Sequence, residues 1–275
     1  MSSGDGSGAR RQAAFFDLDK TVIAKSSTLA FSRGLYREGL ISPAVALKGA
    51  YAQLVYQLLG ANEDRMERSR TALLAVTKGW QAERVQRLVR ETLQEVIDPL
   101  VYAEALDLFE EHRRAGRDLY LVSSSESEIV KPLAEYLGVP RVVATVAGID
   151  EGGRYDGTLE FYCYGEAKAQ AIAAEAAERG IDLAGSYAYS DSVTDLPMLE
   201  VVGNPTAVNP DRELREHALK AGWEIQDFRR PEAVRSRLSQ VPKPPVEVVA
   251  GAGALGVAGL AAWRLYQRRQ SEAVR

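Results

Sequence analysis

Short apolar runs that end in polar residues recur along the chain, and they predict a set of buried strands. Ala13–Phe16 is wholly apolar and is followed at once by an aspartate. Leu119–Val122 runs in the same way into three serines, and Ser186–Tyr189 leads into a serine and an aspartate. Uninterrupted apolar runs of this length are typical of strands that are buried on both faces of a parallel sheet. Thr206–Asn209 is predicted as the next strand.

Helical periodicity fills the intervals between these strands. Three or four helices lie between the first strand and the serine run, which is more chain than a simple strand crossover needs, so we predict an inserted helical cap. Turn residues alternate with aromatic ones between residues 148 and 164, which predicts a short antiparallel hairpin. Apolar residues recur at helical spacing at residues 44–59, 63–76, 81–97, 103–115 and 166–179.

Strands separated by helices predict an α/β fold with a parallel sheet. Ligands of such sheets bind at the carboxyl ends of the strands. The polar residues that follow the apolar runs are therefore expected to meet at one edge of the sheet.

The end of the chain has a different character. Residues 248–263 carry no charged side chain and contain four glycines, and arginines follow them. A helix of this length is ~24 Å long, shorter than the ~30 Å hydrocarbon core of a bilayer. Four glycines make a poor soluble helix, whereas small residues are normal in membrane helices. We predict a C-terminal membrane anchor that tethers a cytoplasmic catalytic domain; an interfacial or partner-packed helix and a disordered tail are the alternatives.

Composition narrows the range of partners. The chain has 275 residues, of which 46% are hydrophobic and 26% charged, as in ordinary globular proteins. The net charge of −4 provides no field to attract phosphate backbones, so no nucleic acid is expected as a partner. Cys163 is the single cysteine, which rules out an internal disulfide. His112 and His217 are far apart, which argues against a zinc site, and we predict both on the surface. The oligomeric state stays open.

Asp17 and Asp19 stand two positions apart after the first predicted strand. Residues at this spacing point the same way in an extended chain, so both carboxylates enter one small volume. Their repulsion raises a pKa unless a cation lies between them or one of them keeps a proton for use as an acid. With a metal ion, one carboxylate is an unprotonated nucleophile and the other a general acid and base. That is the chemistry of an aspartyl-phosphate enzyme.

Three further motifs place polar residues where predicted elements begin or end. The motifs are Ser123 and Ser124 after a strand, Lys168 in the first turn of an alanine-rich helix, and Asp191 with Asp195 after another strand. Taken singly, Ser123 could instead cap the helix that follows it, and Lys168 could be a solvated residue in the first turn of its helix.

Hydrolysis of a phosphate monoester needs an in-line nucleophile, charge neutralisation and a proton for the leaving alkoxide. Asp17 and Asp191, with the backbone carbonyl of Asp19, would give Mg²⁺ a partial octahedron of oxygens that water and phosphate complete. The phosphoryl oxygens would be contacted by the lysine and the serine pair, with a neighbouring backbone amide. Asp195 would hold a metal-bound water.

The four motifs in this order resemble the haloacid dehalogenase superfamily of phosphohydrolases, most closely its phosphoserine-phosphatase-like branch. The resemblance covers about Ala13 to Asn209 and implies a Rossmann-like parallel sheet core with an inserted helical cap. It also implies the roles: Asp17 as nucleophile, Asp19 as acid and base, Ser123 and Lys168 as phosphate contacts, and Asp191 and Asp195 as metal acids.

Two departures from that branch bear on the substrate. Phosphoserine phosphatases carry an acidic residue nine positions after the nucleophile to hold the substrate ammonium, and Ser26 stands there in this chain. Their last motif reads Gly-Asp-Gly-x-Asn-Asp, whereas this chain has serines and a threonine around its two aspartates. The first departure argues against free phosphoserine as the substrate.

The predicted organisation joins these elements with a C-terminal apolar helix. It comprises a flexible tail at residues 1–12, a core at 13–25 and 100–228, a helical cap at 26–99, a basic and proline-rich linker at 229–247, and the anchor helix with its basic tail at 248–275.

The predicted function is Mg²⁺-dependent hydrolysis of a small or lipid-like phosphomonoester through an aspartyl-phosphate. The alternatives are a phosphotransferase to an organic acceptor, a phosphoserine phosphatase and a non-catalytic, membrane-tethered binding module.

Overall fold

A seven-stranded sheet forms the centre of the computed structural model, which describes residues 11–41, 71 and 74–229. Six strands run parallel, and the edge strand β4 pairs antiparallel with β3. The order across the sheet is β4-β3-β2-β1-β5-β6-β7. The strands are β1 Ala13–Asp17, β2 Asp118–Glu126, β3 Arg141–Ile149, β4 Tyr155–Phe161, β5 Tyr187–Ser190, β6 Asn204–Val208 and β7 Glu224–Gln226.

Helices connect the parallel strands, as the alternating pattern predicts. Gly180 ends α6 with φ of 66°, a left-handed conformation that glycine adopts without steric cost. The α-helices that have both ends in the described part of the chain are α1 Ser27–Ala30, α2 Ser32–Arg37, α3 Ala82–Val96, α4 Ala103–Arg114, α5 Ser127–Tyr136, α6 Glu166–Arg179, α7 Leu196–Glu200 and α8 Arg212–Ala221. Residues 71 and 74–77 are also helical.

Strand β1 lies in the middle of the sheet, between β2 and β5, and all five of its residues are buried. Successive side chains leave opposite faces of a strand. Phe15 packs against Tyr120, with ring centroids 4.8 Å apart. Phe16 stacks on Tyr189 at 4.4 Å and meets Phe109 of α4 edge-on at 4.7 Å. Both faces of the sheet are covered, which explains the uninterrupted apolar run in the sequence.

The predicted α/β architecture is confirmed. An antiparallel hairpin is present, as predicted, but it begins earlier than residue 148: β3 starts at Arg141, and its Val146 pairs with Phe161 of β4. Because β1, β2, β5 and β6 are parallel, their carboxyl ends lie along one edge of the sheet. The motif residues that follow these strands therefore meet at that edge.

The prediction that His112 lies on the surface is wrong. Its residue is only 1% exposed, and its Nε2 lies 2.8 Å from the hydroxyl of Tyr189. It follows Phe109 by three positions, so both side chains lie on the face of α4 that covers the sheet. Burial, together with the nearby charge of Arg117, lowers the pKa of His112 to about 4, which keeps the ring neutral at pH 7. His217, by contrast, keeps 36% of its side chain exposed.

Helices α1, α2 and α3 fall in the predicted cap. The amphipathic face of α3 is buried through Val85, Leu88, Val89 and Leu93, and the helix packs against α5. The predicted helix at 44–59 and most of that at 63–76 lie outside the described residues. The cap as a separate insertion and the domain boundaries therefore stay predictions.

The predicted anchor at residues 248–263 also lies outside the described residues. Among the helices that are described, none combines the length and the apolar character that crossing a membrane requires.

Candidate active site

A buried lysine joins two of the predicted acids at the carboxyl edge of the sheet. Lys168 Nζ lies 2.7 Å from Asp17 Oδ1 and 2.7 Å from Asp195 Oδ2, and all three side chains are buried. Ser190 donates to the same oxygen of Asp195, at 2.7 Å. The first turn of α6 thus delivers Lys168 to the ends of β1 and β5. Its burial excludes the alternative of a solvated surface lysine.

Burial and the neighbouring charges shift the pKa values of Asp17 and Lys168. Burial raises the pKa of Asp17 well above its usual range; Lys168 opposes the shift, and the carboxylates of Asp195 and Asp191 add to it. For Lys168, burial by itself lowers the pKa, but the attraction of Asp17 and Asp195 outweighs it and keeps the ammonium charged. Lys168 therefore faces the carboxylates of Asp17, Asp195 and Asp191. Even with Lys20 beside Asp191, the three acids outnumber the two lysines, and the surplus of negative charge suits a further cation.

Asp19 lies beyond the end of β1, where two serines contact it. Its Oδ1 accepts a hydrogen bond from the backbone N–H of Ser27 at 2.8 Å, and the Ser125 hydroxyl lies 3.5 Å from its Oδ2. The hydroxyls of the two serines are 2.9 Å apart. Burial raises the pKa of Asp19 although the Ser27 bonds oppose the shift, which suits a carboxyl that holds and releases a proton.

The serine run lies at the end of β2, directly beside β1. Ser123 is 1% exposed, and its Oγ accepts from the backbone N–H of Ser125 at 3.1 Å. The side chain of Ser124 is exposed, and its carbonyl accepts from Thr145 Oγ1 at 2.7 Å. The residue that precedes α5 is Glu126, so neither predicted serine is the helix cap.

Asp191 follows β5 and faces a lysine that the sequence reasoning did not assign. Lys20 Nζ lies 3.7 Å from Asp191 Oδ2, and Lys20 has a left-handed backbone with φ of 63°. Burial raises the pKa of Asp191 to about 7, with Lys20 opposing the shift and Asp195 adding to it.

Asp211 is a second residue that the sequence reasoning missed. Its Oδ1 caps α8 by accepting from Leu214 N–H at 2.8 Å, and its Oδ2 accepts from Val193 N–H at 2.9 Å. Its own N–H donates to the carbonyl of Asp191 at 2.8 Å. Asp211 therefore holds the loop that carries Asp191 against the start of α8. An aspartate just before a helical segment is the sequence signal for such a cap.

The donor set suits a hard cation. Asp17 and Asp191 supply buried carboxylate oxygens, the ligands that Mg²⁺ prefers, and they repel each other without a cation. Within residues 11–41, 71 and 74–229, no three His, Cys, Asp or Glu side chains converge on one metal position. The predicted set has only two carboxylates and the carbonyl of Asp19, so water and phosphate would complete it. The Oδ2 atom of Asp195 accepts hydrogen bonds from Lys168 Nζ and from the Ser190 hydroxyl.

An aspartate pair, a buried lysine and a further acid at the carboxyl edge of a parallel sheet define an enzyme of the phosphatase class. The chain belongs to the haloacid dehalogenase-like hydrolases, a family that matches residues 14–200. Within that family it belongs to the phosphoserine-phosphatase-like branch.

The chain is similar to curated proteins over nearly its whole length. It is 50% identical over 266 residues to a Streptomyces azureus protein named for inhibition of morphological differentiation, covering 96% of each chain. It is 50% identical over 252 residues to a probable phosphatase of Mycobacterium tuberculosis, covering 92% of this chain and 86% of the other. A phosphoserine phosphatase of the same organism is 35% identical over 263 residues, with 94% and 81% covered.

Solved structures share the fold. A Bordetella pertussis protein of unknown function has a TM-score of 0.69 at 31% identity, covering 79% of this chain and 99% of the other. A phosphoserine phosphatase with an analogue of its phospho-aspartyl intermediate has a TM-score of 0.58 at 18% identity, with 85% and 100% covered.

Proposed function

We propose that the chain is a Mg²⁺-dependent phosphomonoester hydrolase that works through an aspartyl-phosphate on Asp17. The observation that carries this proposal is the 2.7 Å bond between Lys168 and Asp17. Lys168 engages Oδ1, which orients the carboxylate and leaves Oδ2 for attack on phosphorus. The neighbouring hydroxyl of Ser123 would donate to a phosphoryl oxygen, together with Ser124 and a backbone amide.

The reaction divides into two displacements at phosphorus. In the first, Asp17 Oδ2 bonds to phosphorus while the bond to the alkoxide breaks, and Asp19 gives its proton to the departing oxygen. In the second, Asp19 takes a proton from water, whose oxygen attacks phosphorus and breaks its bond to Asp17. Phosphate leaves and Asp19 is protonated again. Mg²⁺, when bound by Asp17, Asp191 and the Asp19 carbonyl, supplies positive charge against the phosphoryl oxygens.

Removing the metal or one of its ligands tests this proposal. Excess chelator is expected to stop p-nitrophenyl phosphate turnover, and Mg²⁺ to restore it. Asp191→Ala is expected to raise the Mg²⁺ concentration for half-maximal rate by about tenfold or more, because a ligand is lost. Glu178→Ala, which changes an exposed acid of α6, is the matched control. Full activity in chelator would refute the metal dependence.

Product analysis distinguishes transfer of the phosphoryl group to water from transfer to an organic acceptor. A phosphotransferase would give a phosphorylated alcohol when alcohols are added, whereas a hydrolase gives phosphate alone. The similarity to a named phosphoserine phosphatase favours phosphoserine as the second candidate substrate. The uncharged Ser26 disfavours it, because phosphoserine phosphatases carry an acid at that position.

We also propose that the C-terminus anchors the enzyme to a membrane and that the substrate is a lipid-like phosphate; the sequence pattern alone supports both proposals. Truncation after Ser239 is expected to move the protein from the membrane fraction to the supernatant. Turnover of aryl phosphates should stay normal, while turnover of phosphate lipids in vesicles falls. Full-length protein that stays in the supernatant would contradict the anchor and leave the catalytic assignment intact.

A further inference from the structure

Two buried serine hydroxyls contact each other beside Asp19. Ser27 is the first residue of α1, and Ser125 lies near the end of β2. The two serines are 98 positions apart in the chain, yet their Oγ atoms are 2.9 Å apart. The residues are 0% and 8% exposed, so water does not compete for this contact. We call them the Ser27–Ser125 pair.

An irregularity in β2 places the Ser125 side chain there. The pairing of β2 with β3 is in register up to Ser123 and resumes at Glu126, with a shift between the two. Extra residues of this kind occur next to active sites, where they re-aim a side chain. Thr145 of β3 fixes the bulge by donating from Oγ1 to the Ser124 carbonyl at 2.7 Å. Ser124 is therefore turned to solvent, and Ser125 is turned inward.

The bulge also ties Ser125 to Ser123, the proposed phosphate contact. The N–H of Ser125 donates to Ser123 Oγ at 3.1 Å. A hydroxyl oxygen that accepts a bond in this way keeps its own proton for another acceptor. The Ser123 proton is thus left for a phosphoryl oxygen, while the Ser125 side chain contacts Asp19.

The Ser27–Ser125 pair contacts both oxygens of the Asp19 carboxyl. The N–H of Ser27 donates to Oδ1 at 2.8 Å, and the Ser125 hydroxyl lies 3.5 Å from Oδ2. Contacts of catalytic groups are often long until the substrate is bound. The terminal torsion of an unrestrained aspartate is broad. Contacts at both oxygens restrict this torsion and so fix the plane of the carboxyl.

The donors on the pair also assign the oxygen that carries the proton. A backbone N–H donates in every protonation state of its partner, and a protonated carboxyl oxygen is the poorer acceptor. The Ser27 N–H on Oδ1 therefore favours the Asp19 proton on Oδ2. When Asp19 is ionised, the two serine hydroxyls have two protons to donate. One goes to the carboxylate and the other to the partner serine.

We propose that Ser27 and Ser125 are positioning residues that aim Asp19 Oδ2 at the oxygen with which it exchanges a proton. This inference rests on the proposed phosphatase function. Asp19 gives a proton to the leaving alkoxide and later takes one from water. Each transfer needs the two oxygens within about 2.6–3.2 Å. A carboxyl that rotates freely is aligned for only part of the time, so the serines raise both rates without touching phosphorus.

A step that needs no proton separates positioning from general damage. Aryl oxides depart without a proton, so Ser125→Ala should leave the rate of the p-nitrophenol burst from p-nitrophenyl phosphate unchanged. Its single-turnover rate on ethyl phosphate should fall about tenfold, as expected for the loss of a hydrogen bond to a charged group. The phosphoenzyme made from p-nitrophenyl phosphate should also decay more slowly, because water must give its proton to Asp19. Rapid-quench assays of the full-length protein with Mg²⁺ measure all three rates.

Ser186→Ala is the control for a buried serine outside the site. Ser186 Oγ accepts from the Ala13 N–H at 3.0 Å and donates to the Asp182 carbonyl at 2.6 Å. Removing this hydroxyl should lower the melting temperature but keep the parental ratio of the burst rate to the ethyl phosphate rate. Ser125→Thr, which retains a hydroxyl, should recover most of the ethyl phosphate rate.

Ser27→Ala tests whether the two hydroxyls act as a unit. The variant loses the Ser27 hydroxyl but keeps the N–H bond to Asp19 Oδ1. Because each hydroxyl is the other's partner, the loss in the double variant should be smaller than the product of the two single losses. A double loss equal to that product would contradict a coupled pair.

The remaining outcomes distinguish this inference from the proposed function. If Ser125→Ala slowed the burst and the ethyl phosphate reaction equally, or slowed neither, the positioning role would be overturned and the phosphatase function would stand. A Ser125→Thr variant that melts at the parental temperature and is as slow as Ser125→Ala on ethyl phosphate would also overturn that role. Absence of any burst or phosphoenzyme in the parent with Mg²⁺ would instead overturn the phosphatase function.

Discussion

Asp17→Asn is expected to abolish turnover and phosphoenzyme formation, with a loss in kcat of more than about a thousandfold, or ~4 kcal/mol of barrier. The amide keeps the shape of the side chain and its contact with Lys168, but it cannot attack phosphorus. Steady-state assays and mass spectrometry of acid-quenched enzyme measure the two effects. A variant that turns over within about tenfold of the parent would exclude the aspartyl-phosphate mechanism.

Asp19→Asn is the matched comparison, because it leaves the nucleophile in place. Aryl oxides depart without a proton, so p-nitrophenyl phosphate should still phosphorylate Asp17 in this variant. The phosphoenzyme should then accumulate, since no carboxylate is left at that position to take a proton from water. Alkyl phosphates should be affected already in the first step. Equal losses on both kinds of ester would remove Asp19 as the general acid.

Lys168→Met is expected to stop catalysis and to lower the free energy of unfolding by about 3–5 kcal/mol, the usual cost of leaving a buried charge without its partner. The ammonium bridges Asp17 and Asp195, each at 2.7 Å, and methionine replaces its length but not its charge. Urea unfolding measures the loss. Lys220→Met, on an exposed position of α8, is the control.

The stability loss in Lys168→Met should depend on pH. Burial already raises the pKa of Asp17, and without the lysine its folded-state pKa rises further above the unfolded value. The folded variant then holds more protons than the unfolded chain, so its stability falls as the pH rises through that pKa. The added change Asp195→Asn should recover part of the stability but none of the turnover. If Lys168→Met alone were as stable as the parent at pH 8, the proposed pairing of Lys168 with Asp17 and Asp195 would be contradicted.

The sequence by itself determined the local elements and the order of the motifs. The run Ala13–Phe16 is apolar at every position because β1 is buried on both faces, and such a run predicts a strand without knowledge of its neighbours. Residues 166–179 have the periodicity of a helix, and Gly180, which follows them directly, marks its end. Parallel strands then put Asp17, Ser123 and Asp191 at one edge. Short-range periodicity and topology are sufficient for these conclusions.

Only the tertiary structure decided which of these side chains contact each other. Lys168 meets Asp17 across 151 positions and Asp195 across 27, and no local pattern encodes either distance. The contact of Asp19 with Ser125, and the burial of His112, depend in the same way on which elements pack together.

The burial of Glu126, Glu128 and Tyr155 shows the same limit. In the sequence, Glu126 and Glu128 are ordinary acids near a helix start, where exposure is the usual state. Tyr155 joins them only because β4 folds back on β3, next to β2. Burial and pairing are properties of the packed sheet and helices, because desolvation depends on every neighbour in space and not on neighbours along the chain.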